Sequence, residues 1–193
     1  MSFDFTTLVT DRTQSDVQRV RDVAARIING TASEAEIAEW NAAMKGAYNH
    51  EDLNRVENAV ACLSEFLRSI PEEVKKHAEA FGVAWDDLFD TPYDPSEMDL
   101  AVKTDWGVID VPYASDMERY LKNVVFLRAS IPFQTATLPQ SAENLTWSGA
   151  NAIERVLFDL DIASQNLLEE LKSKIEKTIA AAYESGEVFS GEV

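Results

Sequence analysis

A chain of 193 residues is long enough to bury one substantial core or two small ones, and its 46% hydrophobic and 26% charged residues are ordinary globular values. With 34 acidic against 17 basic residues the formal charge is -17, which sets the average surface against phosphate backbones and anionic lipid, so no nucleic-acid partner is expected. The single cysteine, Cys62, excludes an internal disulfide. No run approaches the roughly 18 apolar residues of a membrane span, so no membrane insertion is expected, and synthesis is placed in the bacterial cytoplasm.

Few glycines and prolines and long stretches without either predict a mainly α chain folded as a helical bundle. A first helix is expected from Thr13 or Ser15 to Gly30, with Val17, Val20, Ala24 and Ile27 inward. Ser33 and Glu36 make a capping box for a short second helix that carries Ile37, Trp40 and Met44 inward to Gly46. Asn49 caps a third, with Leu53, Val56, Val60, Leu63, Leu67 and Ile70 in steps of three and four. Pro71 fits the first turn of a separate helix reaching about Phe81. The segment 83–112 reads as an acidic connector whose stretch Trp106–Val111 has the composition of a short strand, the one β element expected. Ser115 and Glu118 form a second capping box, opening a helix with Met117, Tyr120, Val124, Leu127 and Ile131 inward until Pro132. Thr146 then caps the longest helix, running to about Tyr183. A helix of nearly forty residues would span roughly 55 Å, and its stripe of Leu157, Leu160, Leu168, Leu171, Ile175 and Ile179 continues beyond the length that the shorter helices can cover.

An acid and an arginine three residues later recur at Asp16 and Arg19, Asp52 and Arg55, and Asp116 and Arg119, with Arg155 in the fourth helix behind Ala152. Asp52 follows Asp16 by 36 residues and Ala152 follows Asp116 by the same 36, and apolar positions fall in register in all four helices. This pattern predicts two related helical units, 1–82 and 113–193, joined by the connector at 83–112. Amphipathic periodicity alone repeats in any helix; the equal spacing of the charged pairs is what suggests an internal duplication.

The tract Lys45–Val56, with Gly46-Ala47-Tyr48-Asn49-His50-Glu51-Asp52 at its centre, resembles tail-associated structural proteins of phages and prophages from Gram-positive gut bacteria. So do Asp11-Arg12-Thr13, the tract Glu143–Arg155 and the segment Tyr183–Glu192. The resemblance to these minor tail, baseplate or fibre-associated proteins implies a virion tail component whose partners are other phage structural proteins or copies of itself. It brings no catalytic residues.

The chemistry of the residues agrees with a non-enzymatic role. His50 and His77 show no zinc-ligand spacing with Cys62, which reads as a small packing residue on its helix. Asp86, Asp87, Asp90, Asp94 and Asp99 lack the spacing of a calcium loop, and neither a nucleophile elbow nor a phosphate-binding glycine loop is present. No cofactor or metal is expected. Two alternatives stay open. The connector aromatics Trp85, Tyr93 and Trp106 could form a platform for host-surface carbohydrate, although core covering explains them as well. A carboxylate pair in a cleft would make a cell-wall hydrolase. For the leading reading, helix-mediated assembly, the expected partner surface is the distal stripe of Leu168, Leu171, Ile175 and Ile179.

Overall fold

A computed structural model describes residues 3–82 and 91–185. The chain is mainly helical: α1 (Gln14–Ile28), α2 (Glu34–Asn41), α3 (His50–Ala80), α4 (Ala114–Ser130) and α5 (Trp147–Ser185), with 3-10 turns at Phe5–Thr7 and Pro95–Met98 and no strand among the described residues. Trp106–Val111, expected as a strand, is a loop with a turn. Its backbone is held by side chains and not by a neighbouring strand.

The helix starts follow local chemistry. Thr13, Ser33 and Asn49 cap α1, α2 and α3, each answered by an acid three residues on, Asp16, Glu36 and Asp52, which accepts the cap's own N–H. At α4 the box shifts from the expected Ser115 and Glu118: Asp116 accepts from the Tyr113 N–H at 2.9 Å, and the helix starts at Ala114. Thr146 caps α5 through the Gly149 N–H.

Contrary to expectation, Pro71 starts no new helix, and α3 runs through it for 31 residues. A mid-helix proline leaves the carbonyl four residues earlier without its N–H. Here that carbonyl belongs to Leu67, and it accepts the Tyr93 hydroxyl at 2.9 Å.

This uninterrupted α3 changes what α5 can bury. The two helices lie side by side and parallel, joined near their starts by Arg55 and Glu154 and farther on by His77 and Glu176 at 3.2 Å. Val74 and Ala78 of α3 share one apolar cluster with Leu171, Ile175 and Ile179 of α5, and Leu168 packs partly buried against it. The distal stripe expected to await a partner is therefore covered by the chain itself.

α4 lies in the same direction beside them, which requires two return segments. The first, 91–106, runs back along about 20 Å of α3, from Tyr93 at Leu67, past Met98 at Ser64, to Trp106 at Asn54. The second, 131–146, runs back along α5: Thr135 donates to Asp159, and Pro139 lies against Gly149. Parallel packing gathers three positive helix ends, and the acids in the first turns of α3 and α4 oppose that charge.

One core unites α3, α4 and α5 with Leu8, Met98 and Trp106, so the expected units 1–82 and 113–193 and their connector share a single interior. The helix pairs are not equivalent either. α1 packs on α2, whereas α4 packs on both α3 and α5, and nothing in 131–146 corresponds to α2. The charged-pair register coincides with the position of the first turn in α1, α3 and α4, but α5 starts three residues earlier relative to Arg155.

Candidate functional site

Three separate stretches meet in an ionic cluster at the shared N-terminal end of the bundle. Arg12, on the segment before α1, donates one Nη to Asp52 and to Glu154, both at 2.7 Å, and the other to the Val9 carbonyl at 2.7 Å. Arg55 holds Glu154 through Nε and Nη2, each at 2.9 Å, and also reaches Asp52 one turn back on α3. Glu154 is fully buried on α5, and its remaining capacity takes the Val9 N–H at 2.6 Å. Asn151, one turn earlier, clasps the Arg12 backbone, accepting from its N–H and donating to its carbonyl. Two cations face two carboxylates, so the cluster is neutral.

Beside it the Arg12 guanidinium stacks 5.3 Å from the Tyr48 ring, whose hydroxyl bonds that of Tyr120. Burial pushes both phenols well above their usual range. A third buried carboxylate, Glu57, takes both Nη groups of Arg119 at 2.6 and 3.1 Å, and burial raises its pKa. An opening of about 340 Å³ lies next to the cluster, lined by Asp52, Arg55, Lys45 and Glu51 among others. Asp52 and Glu154 are already occupied by arginines and backbone N–H groups. The arrangement acts as a clamp between the N-terminal segment, α3 and α5.

The carbohydrate-platform residues are placed elsewhere. Tyr93 is bonded to α3, and Trp106 is buried, its backbone gripped by both amide atoms of Asn54 and its ring covered by the Lys103 ammonium at 4.6 Å. Trp85 lies outside the described residues, as do Asp86, Asp87 and Asp90. Asp94 caps the turn at Pro95–Met98, and Asp99 pairs with Arg68 at 3.3 Å. No group of three metal-ligating side chains occurs among the described residues.

Sequence reading missed Arg12 and Glu154. The available signal was Glu154 itself, an acid placed among Ile153, Val156 and Leu157 on the face that α5 buries. A buried acid requires a cationic partner, though sequence could not say which. Ile37 and Trp40, expected inward, are exposed on α2, which packs on α1. Among the described residues, a run of exposed apolar side chains lies elsewhere, at Val108, Ile109, Val111 and Tyr113, beside an open groove of about 650 Å³ along α4. No protein-family model, no curated protein and no solved structure matches this chain.

Proposed function

We propose that this chain is a non-enzymatic structural component of a phage or prophage tail or baseplate, working by assembly with other tail proteins or with copies of itself. The observation that carries the reading is where the resembling tracts meet. Asp11-Arg12-Thr13, Lys45–Val56 and Glu143–Arg155 lie far apart in sequence and supply Arg12, Asp52, Arg55, Asn151 and Glu154 to one clamp. Tracts that resemble those of tail proteins and build a neutral, internally occupied clamp fit an architectural role better than a reaction. The carbohydrate reading loses Tyr93 and Trp106 to internal contacts, and the hydrolase reading finds Asp52 and Glu154 already bound by arginines.

The test is peptide mass spectrometry of density-purified particles from an induced lysogen carrying this gene, with labelled antibody locating the protein by electron microscopy. Recovery in particles at a fixed ratio to other tail proteins, with label at the tail, is expected. Recovery only from the particle-free lysate would overturn the reading.

A further inference from the structure

Gly107–Asp110 is a turn that displays apolar side chains. The Asp110 N–H donates to the Gly107 carbonyl at 3.1 Å, and the Asp110 carboxylate takes the Gly107 N–H at 2.9 Å. Lys103 pairs with Asp110 while covering Trp106, and Asn54 fixes the Trp106 backbone to α3. On this braced support Val108, Ile109, Val111 and Tyr113 stand 82%, 91%, 79% and 77% exposed. Immediately beside them Pro112 forms one wall of the groove along α4, whose other apolar walls are Ala114, Met117, Leu121, Val125 and Ala142.

We infer that this braced tip and the adjoining groove form a two-fold interface in which the tip of each copy of the chain enters the groove of the other. A protrusion and a concavity that adjoin on one molecule are what an isologous contact requires, because the rotation brings each onto its counterpart. The four tip side chains carry about 500 Å² of accessible surface per copy, so two copies bury about 1,000 Å² before the groove walls are counted, which reaches the size of a specific interface. The braced turn also holds its shape before binding, which lowers the ordering cost of association. Each copy carries a charge of -17, and that repulsion opposes the contact. Added salt therefore tightens this dimer, whereas it would loosen binding to a basic partner.

The inference deepens the assembly reading and rests on it only for self-association. The test is sedimentation velocity of the full chain at low and high salt, with Ile109→Glu in the tip and Val125→Arg in the groove, both at exposed positions and both checked for an unchanged thermal melt. The wild type is expected to dimerise more tightly at high salt. Each variant alone should dimerise at least about tenfold more weakly, and their equimolar mixture should recover a heterodimer through one unaltered tip and groove and one opposite-charge pair. A wild-type monomer, a dimer indifferent to both substitutions or a mixture without recovery would each overturn the inference. A monomer that still travels with particles would remove this interface alone, and a dimer absent from particles would remove the tail reading alone.

Discussion

Pro71 shows how a residue that obeys its local rule can mislead about its element. Proline suits a helix start, and only a partner from outside the helix lets it sit in the middle at low cost. Tyr93 is that partner, 26 residues beyond Leu67 along the chain, and nothing in the local sequence announces the pairing. An aromatic ring with a hydroxyl also suits a sugar platform, although core covering is the favoured reading of the connector aromatics. If Tyr93 completes the helix at Leu67, Tyr93→Phe should cost about 1 to 2 kcal/mol in urea unfolding, since it leaves a buried carbonyl unpaired. In a Pro71→Ala background the restored N–H should take over that carbonyl, and the cost of Tyr93→Phe should fall by at least half. Equal costs in the two backgrounds would mean that the hydroxyl's role at Leu67 is incidental.

Helix starts were legible to within a residue or two because caps are local: Thr13, Ser33, Asn49 and Thr146 each open the helix their sequence announces. What the elements do next was less legible. The repeated acid and arginine tempted a duplication, yet the acid is a capping residue in α1, α3 and α4. The arginines go to unrelated partners: Arg19 to Glu39, Arg55 to Glu154 and Arg119 to Glu57. Periodicity told which residues of α3, α4 and α5 face inward, but it could not tell that the short α2 leaves Ile37 and Trp40 exposed. The α1–α2 hairpin is set on the bundle by a close approach at Gly46, where an added Cβ would fall 2.2 Å from the backbone carbon and oxygen of Asp16. Backbone cannot yield as a flexible side chain can, so Gly46→Ala should cost about 1 to 3 kcal/mol. Hydrogen exchange should locate the damage: amides of α1 and α2 should exchange faster, while those at the centres of α3 and α5 keep their protection. Uniform loss of protection would show instead that the hairpin and bundle unfold as one unit.

At the scale of the molecule, the charge that was plain in the composition acts through burial, which was not. Asp16, Glu36 and Asp110 are surface carboxylates whose pKa values are lowered, Asp16 chiefly by the Thr13 side chain and Glu36 and Asp110 chiefly by backbone N–H groups. Their contributions are present above the ordinary carboxylate range and are lost as pH falls through the lowered values. Glu57 has the opposite sign. It is almost fully buried where α3, the first return segment and α4 meet, while its partner Arg119 is about a quarter exposed, so the cost of desolvation falls on the carboxylate and raises its pKa. A raised carboxylate gives stability that is complete below its ordinary value and is lost as pH rises through the raised one. Glu57→Gln removes that dependence and keeps an acceptor for Arg119, so its stability relative to the wild type should rise between about pH 3 and pH 7. Chemical unfolding of both proteins across that range is the measurement. A relative stability that falls with rising pH would mean that the pull of Arg119 exceeds the cost of burying Glu57, and that this contact anchors the return segment by its charge.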